Sequence, residues 1–257
     1  STSRYQHMSF LNSQKLINFI LLILTLILID GLLCRPVVGI HLYKPYQFCT
    51  NYFFIQFWEE NGFVENLQSL FLFFSIIYLI KSRAKFKDIK IINFFLVIKI
   101  IGLFYYFGEE ISWGQHFFNW ISPDWFILHN NQNETNIHNI SNIFDQLPRT
   151  LVLIWCALSV PLILFINKIS LIDKNIFKIF CPNKKLIFIS LLLLFFVLPD
   201  LVIDKFDLHL GWIDEIGTPI ENAYFYDMIS FNFLKLSELH EFIFASYFLF
   251  YSWSFNR

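Results

Sequence analysis

The sequence predicts an all-α membrane protein, a polytopic helix bundle with about six transmembrane helices in a single domain over 1–257. Two observations predict this class. The chain is 56% hydrophobic, has 34 Phe and has a mean hydropathy of +0.54, while only 15% of its residues are charged. Ordinary soluble domains contain roughly 25% charged residues. In addition, six separate apolar stretches approach the ~20 residues that a helix needs to cross a bilayer.

The six apolar stretches are the predicted spans. They cover 16–33, 64–80, 91–107, 151–166, 186–203 and 233–253. Residues 111–127 are aromatic but too polar to span, so they are predicted to lie in the membrane interface or to re-enter the membrane after the third span. Residues 1–7 precede Met8 and are interpreted as a cloning remnant.

Two lysine-rich loops set the predicted orientation. Residues 81–90 follow the second span, and residues 168–185 follow the fourth. Positively charged loops remain on the cytoplasmic side, so six spans place both termini in the cytoplasm. The net charge of −1 argues against a nucleic-acid partner. The four cysteines form no CxxC pair, and Cys34 and Cys49 are either a disulfide on the opposite side or free thiols.

The stretch 108–139 holds most of the residues in the middle of the chain that are capable of chemistry. These residues are Glu109, Glu110, His116, His129, Glu134 and His138. Glu109 and His116 are seven positions apart, a spacing that predicts a shared helix face. Glu134 and His138 are four apart, and the same prediction applies to them.

His129, Glu134 and His138 are candidate ligands of a divalent metal of unknown identity. Two imidazoles and one carboxylate would supply three protein ligands and leave a position open for water, as in catalytic metal sites. The alternative interpretation is a solvated polar loop, because residues 129–139 are rich in Asn.

Glu109, Glu110 and His116 are the candidate catalytic residues. Adjacent carboxylates at the end of an apolar helix are costly unless they are paired or bind a cation. Either glutamate could act as a general base, and His116 could be a fourth metal ligand or a proton donor. The alternative is a helix end whose carboxylates meet water.

Further candidates are charges within or beside the predicted spans: Glu60, Glu65, Lys99, Glu238 and Glu241. An intramembrane lysine such as Lys99 is expected to face the bundle interior or a carboxylate. Glu238 and Glu241 are three apart and are predicted to share a face of the last helix. Helix packing through a carboxylate–lysine pair is the alternative to a functional role.

The sequence resembles a family of uncharacterised bacterial multi-pass membrane proteins. The motifs that carry the resemblance are G-E-E-x-S-W-G-Q at 108–115 and H-N-x-Q-x-E-x-N-x-H-N at 129–139. An acidic E-D/E-x-G-x-x-E pattern at 59–65 and acidic residues at 238–241 accompany them, with Asn61 following the first glutamate pair. The resemblance implies a bacterial membrane protein, and the topology predicted from the basic loops then places the polar cluster on the periplasmic side of the inner (plasma) membrane. It implies no reaction.

Three functions are compatible with these observations. The first is a periplasm-facing, metal-dependent hydrolase or transferase acting on a lipid, a lipid-linked substrate or a small molecule, because Glu and His converge at one membrane face. The second is an ion- or proton-coupled transporter, since intramembrane charges often line ion routes. The third is a structural subunit of a membrane complex. Membrane lipids are the predicted partners, and the oligomeric state is unknown.

Overall fold

The computed structural model describes residues 14–26, 62–130, 134–137, 140–167, 177, 179–205 and 236–256. Most of these residues are helical, and none of them forms a β-strand. The helices are α1 (Gln14–Leu26), α2 (Phe63–Phe86), α3 (Lys90–Glu110), α4 (Gln115–Phe118), α5 (Asp124–His129), α6 (Asn142–Asn167), α7 (Leu186–Lys205) and α8 (Leu236–Phe255). A 3-10 turn, Ser112–Gly114, joins α3 to α4. The predicted class, an all-α helical membrane bundle, is confirmed.

A described helix overlaps each of the six predicted spans, although residues 27–33 of the first and 233–235 of the last lie outside the described residues. Three segments are long and apolar enough to cross a membrane: Phe63–Phe86, Lys90–Glu110 and Leu147–Ile166. Gln14–Leu26 and Leu186–Val197 are shorter apolar helices. The chain is therefore a membrane protein, while the number of crossings stays a prediction.

Helix α2 extends beyond its predicted span to Phe86. Its first turn carries Glu65, and its last turn carries Arg83 and Lys85. Carboxylates at a helix N-terminus and cations at its C-terminus complement the helix dipole, which favours the longer helix. Glu65 is therefore placed to stabilise the start of α2 through the helix dipole, whatever else it does.

The chain forms two compact units. One consists of Ser1–Val64 with Leu192–Glu241, and the other of Glu65–Leu191 with Phe242–Arg257. The second unit contains α3, α4, α5 and α6 entirely, together with most of α2 and α8. The single-domain assignment stays a prediction.

Helix α8 supplies the core of the second unit. Every residue in 242–252 is buried, so this part of the helix is surrounded by protein. Phe242 packs against Phe71 of α2 at a ring-centroid distance of 5.7 Å, and Phe255 packs against Phe86 at 5.7 Å. A helix that is apolar on all sides is expected at the centre of a bundle, where each face meets another helix.

Helix α3 has two apolar faces, of which only one is buried. The buried side chains are Ile92, Leu96 and Leu103. The exposed side chains are Phe94, Ile98, Ile101 and Phe104. Lys99 lies three residues after Leu96 and four before Leu103, so helical periodicity places it on the buried face. The exposed face is suited to contact with lipid.

The ends of three helices meet beside the basic loop 81–90. Arg83 Nε donates a hydrogen bond to Asn93 Oδ1 at 2.9 Å, which links the end of α2 to the start of α3. Lys85 Nζ donates to the backbone carbonyl of Asn256, directly after α8. The end of α8 therefore lies on the same side of the second unit as this loop.

Candidate functional site

The backbone reverses sharply where α3 ends. Ser112, Trp113 and Gly114 are consecutive and have φ angles of 45°, 53° and 99°. Left-handed backbone costs a residue other than glycine roughly 1–2 kcal/mol. Two such residues in succession persist only where surrounding contacts impose the conformation, and strain of this kind is concentrated at functional sites.

Trp113 fixes this turn by folding back over α3. Its indole Nε1 donates a hydrogen bond to Glu109 Oε1 at 2.8 Å. Its ring lies directly over Gly108, where a Cβ atom would come within 2.9 Å of the ring carbons. The glycine of the G-E-E-x-S-W-G-Q motif is therefore required by the tryptophan of the same motif.

Glu109 connects the end of α3 to residues 134–137. The side chain is only 4% exposed. Its Oε1 accepts the Trp113 hydrogen bond, and its Oε2 accepts one from the backbone N–H of Ile137 at 2.7 Å. A buried carboxylate that accepts two N–H groups forms strong, charge-assisted hydrogen bonds, so Glu109 fixes the position of the second motif.

Ser112, Glu134 and Asn136 form the next contacts between the two motifs. Ser112 Oγ donates to Glu134 Oε2 at 3.0 Å, and Asn136 Nδ2 donates to Ser112 Oγ at 3.2 Å. Asn136 Nδ2 also donates to Glu134 Oε2. One oxygen of the Glu134 carboxylate is thus oriented by a hydroxyl and an amide, both of which are fully buried side chains.

Gln115 forms the third connection. Its Oε1 accepts hydrogen bonds from the backbone N–H of Thr135 at 2.7 Å and from Ser122 Oγ at 3.1 Å. The Ser122 and Thr135 hydroxyls are also 3.1 Å apart. The side chains that join the two motifs are called the Glu109–Glu134 cluster below and are Glu109, Ser112, Gln115, Ser122, Glu134 and Asn136.

The Asn-rich run is partly interior. Asn130 Nδ2 donates to the Asn136 backbone carbonyl at 3.0 Å and to Asn136 Oδ1 at 2.7 Å. Asn130 is 5% exposed and Asn136 is 0% exposed. The solvated-loop interpretation is therefore wrong for these two residues: both are buried, and Asn130 holds Asn136 of the cluster by hydrogen bonds.

Both helix-face predictions for this region are wrong. Glu109 belongs to α3 and His116 to α4, and the left-handed turn between them breaks the helix that the spacing of seven assumed. Residues 134–137 are not helical, so Glu134 does not begin a helix face shared with His138, which itself lies outside the described residues. The cluster depends on long-range hydrogen bonds rather than on helical periodicity.

The predicted metal ligands are only partly within the described residues. His129 is exposed at the end of α5, where its Nδ1 lies 2.8 Å from the Trp125 carbonyl and its ring stacks on Trp125 at 4.7 Å. Glu134 accepts the Ser112 and Asn136 hydrogen bonds. Within the described part of the chain, no three His, Cys, Asp or Glu side chains are grouped to hold a metal. The metal site stays a prediction, since it includes His138.

The remaining candidates are distributed over several helices. Glu110 is half-buried at the end of α3, and Glu65 is half-buried in the first turn of α2. Glu238 and Glu241 both belong to α8, where Glu241 is half-buried. Glu60 lies outside the described residues. Lys99 lies in the middle of α3, ten residues before Glu109.

Sequence reasoning did not single out Gln115, Ser122, Asn130 or Asn136 as site residues, and it gave Ser112 little weight. Gln115 and Asn136 nevertheless occupy specified positions of the two motifs on which the family resemblance is based. A polar residue specified within a motif of a membrane protein is a signal for a buried hydrogen bond. Their partners could not be identified from spacing, because about twenty residues separate the interacting positions.

The comparisons with known proteins return nothing. No family model, no curated protein and no solved structure matches the chain. The family resemblance therefore stays a prediction.

Proposed function

We propose that this protein is a membrane-embedded hydrolase or transferase that acts on a lipid or lipid-linked substrate at the Glu109–Glu134 cluster. One observation supports the proposal above all. Two carboxylates, Glu109 and Glu134, form hydrogen bonds with one strained turn at the end of a membrane-length helix. A purely structural helix end needs a cap. It does not need two consecutive non-glycine residues in left-handed backbone.

Glu134 is the proposed general base. Ser112 and Asn136 hold one of its oxygens, so the carboxylate has a defined direction and can accept a proton from water or from an acceptor alcohol. We assign Glu109 a positioning role instead of the general-base role predicted from the sequence. Each Glu109 oxygen already accepts an N–H group that holds the two motifs together.

The surroundings of the cluster support a lipid substrate. Between the turn and residue 130, several large apolar side chains are exposed: Phe117 at 58%, Phe118 at 76%, Ile121 at 87%, Trp125 at 54% and Leu128 at 79%. They immediately follow a membrane-length helix, so they suit the interface, where aromatic residues are enriched. A substrate partitioned into the bilayer would reach the cluster across this surface.

The proposed location is the periplasmic face of a bacterial inner membrane. Loop 81–90 is basic, and Lys85 contacts the carbonyl of Asn256 after α8. This contact supports a topology in which the basic loop and the end of α8 are both cytoplasmic. The Glu109–Glu134 cluster begins at the other end of α3, which favours the opposite face.

The proposal is tested by searching for lipid products. Protein reconstituted in vesicles of bacterial polar lipids is incubated, and mass spectrometry detects new lipid species. Wild-type protein is expected to form a product, and Glu134→Gln is expected to lower its rate of formation about 100-fold or more, as for loss of a general base. Asp124→Asn, the same isosteric change at an exposed position of α5, should leave the rate unchanged.

Two outcomes would contradict the assignment: absence of any lipid product from wild-type protein, or equal rates for wild type and Glu134→Gln. The metal-dependent form of the proposal has a separate test. Elemental analysis of wild-type and His138→Ala protein should find a stoichiometric divalent metal that the variant loses. An equal metal content in both would remove His138 from the ligand set.

A further inference from the structure

Lys99 is placed where a bilayer is least able to solvate a charge. It is the tenth of the 21 residues of α3, about 14 Å along the axis from the start of the helix. The hydrocarbon core of a membrane is about 30 Å thick, so this residue lies near its middle. Charged groups at this depth are rare, and they mark functional sites by default.

Two aromatic rings hold the end of the Lys99 side chain. Its Nζ lies 3.8 Å from the ring centroid of Trp155 in α6 and 3.6 Å from that of Tyr251 in α8. Both distances are well within the range of cation–π attraction, which is strongest where water is excluded. Three different helices therefore converge on one ammonium group.

The rings themselves are fixed by residues 179–181. Phe180 stacks on Trp155 with a centroid distance of 4.8 Å. The Tyr251 hydroxyl donates a hydrogen bond to the backbone carbonyl of Ile179. Each ring thus has a set orientation, and the two ring faces remain available to Lys99.

The Lys99 ammonium has no anionic partner within the described part of the chain. Its Nζ is buried and makes no hydrogen bond there, although an ammonium has three N–H donors. The carboxylates on the same helix, Glu109 and Glu110, begin ten residues further on, about 15 Å along the axis. A desolvated ammonium without an anion costs several kcal/mol, and aromatic faces offset only part of this cost.

The route to Lys99 leads through lipid. The residue as a whole is half-buried although its Nζ is buried, so the aliphatic stem reaches the protein surface. Its neighbours Ile98 and Ile101 are 48% and 64% exposed on the apolar face of α3. A ligand that approaches the ammonium along the stem would come from the bilayer, and its tail would remain in an apolar environment.

We propose that Lys99, Trp155 and Tyr251 form a binding site for the anionic head group of a single-chain amphiphile from the membrane. The head group, a carboxylate or a phosphate, supplies the hydrogen-bond acceptors that the ammonium lacks among the described residues, while the faces of the two rings remain against the ammonium. This site is separate from the Glu109–Glu134 cluster, and it does not depend on the enzymatic function proposed above.

The test measures equilibrium binding to detergent-purified protein. The ligands are a long-chain fatty acid, its methyl ester and an alkyl phosphate with the same chain length. Wild-type protein is expected to bind at least one of the two anions and not the ester. Lys99→Met should weaken anion binding about tenfold or more, because it removes a charged hydrogen-bond donor. Lys99→Arg should retain most of the affinity.

The matched control is Lys90→Met, the same change at the exposed first residue of α3. It should bind as wild type does. Comparison of the fatty acid with the alkyl phosphate identifies the head group that the site prefers. Equal anion binding by wild type and Lys99→Met, or equal binding of acid and ester, would overturn the proposal.

A second measurement leaves Lys99 in place. A fatty acid brominated near its carboxyl group quenches nearby tryptophan fluorescence, and Trp155 is expected to supply the saturable part of this quenching. Trp155→Phe keeps an aromatic ring beside Lys99 and should abolish the saturable part. Saturable quenching of unchanged size in Trp155→Phe would place the ligand elsewhere and refute the site.

Discussion

The middle and the end of α3 both carry charges, but they hold them by different means. At the end, the Glu109 carboxylate accepts two N–H groups, one from an indole and one from the backbone of Ile137. In the middle, the Lys99 ammonium is held by the faces of Trp155 and Tyr251 and makes no hydrogen bond within the described residues. Among the described residues, the Glu109 carboxylate therefore has hydrogen-bond partners and the Lys99 ammonium has none.

The position along the helix explains this difference. Within a membrane helix, every backbone N–H and C=O is used by the helix itself, so the backbone has nothing to offer a neighbouring charge. Beyond the last turn of α3, the chain leaves the helix through the left-handed residues Ser112–Gly114. Residues 134–137 then supply the backbone and side-chain groups that form hydrogen bonds with the carboxylate and its neighbours. A charge at mid-helix therefore depends on side chains of neighbouring helices or on a ligand, and for Lys99 the described side chains are the rings of Trp155 and Tyr251.

The largest effect is expected from Glu109→Gln. The substitution keeps the shape but removes the charge, and it places an NH2 group against an N–H donor. Two charge-assisted hydrogen bonds are weakened, so the free energy of unfolding should fall by about 3 kcal/mol. Denaturant unfolding in mixed micelles measures this. Glu110→Gln, at the half-buried neighbour, should cost clearly less. Equal losses would mean that Glu109 has no special role.

Gly108→Ala is expected to have the next largest effect. The new Cβ would meet three ring carbons of Trp113 at 2.9–3.0 Å, which forces the indole away from Glu109. Overpacking of this kind costs about 2 kcal/mol. Gly102→Ala is the matched control on the same helix, because nothing lies within 4 Å of its Cβ. That variant should be slightly more stable than wild type, since alanine favours a helix by about 0.5–1 kcal/mol.

If Gly108→Ala proved as stable as Gly102→Ala, the packing of Trp113 on α3 would not be required for the turn. The strained backbone at 112–114 would then need another cause. The same thermal or denaturant unfolding assay serves for both variants, so the comparison is internal to one helix.

Lys99→Met is expected to raise the free energy of unfolding, whereas the two substitutions above lower it. Replacement of a buried charge that lacks an anion by an apolar side chain of similar length should stabilise the ligand-free protein by about 1 kcal/mol. Lys90→Met, at an exposed position, should change stability by less than about 0.5 kcal/mol. Loss of stability in Lys99→Met would show that the contacts of the ammonium within the protein, the two ring faces included, outweigh the cost of burying it.

The two regions also differ in how far the sequence predicted them. Apolar length predicted the helices, and the cost of a charge inside the membrane predicted that Lys99 faces the bundle interior or a carboxylate. The structure places Lys99 on the same face of α3 as the buried Ile92, Leu96 and Leu103. The sequence could not identify the rings from α6 and α8, because those contacts are set by tertiary packing.

The Glu109–Glu134 cluster was only half predictable. Its two motifs were recognised, but a helix face was expected to pair Glu109 with His116. The chain instead leaves the helix after Glu110 through residues whose φ angles are positive although only one of them is glycine. Local preference argues against such a turn, and long-range hydrogen bonds to Thr135, Asn136 and Ile137 override it.

The smallest expected effect is on the reactivity of the Cys181 thiol. This residue directly follows Ile179 and Phe180, which contact Tyr251 and Trp155. Burial raises the pKa of its thiol from 9.0 to about 11, against a smaller lowering by the Lys184 ammonium. Because only the thiolate reacts, alkylation of Cys181 should be slow at neutral pH and should accelerate about tenfold per pH unit up to that pKa. Peptide-level mass spectrometry measures the rate, with Cys181→Ser as the blank.

The direction of this pH dependence also applies to stability. An unfolded Cys181 loses its proton near its ordinary pKa of 9.0 while the folded thiol keeps it until about 11, so folding is progressively disfavoured as pH rises between these values. Rapid alkylation at pH 7 would mean that residues 179–181 open readily. The rings of Trp155 and Tyr251 would then be accessible from the side of residues 179–181. Water could reach Lys99 there, and the difference between the middle and the end of α3 would be smaller.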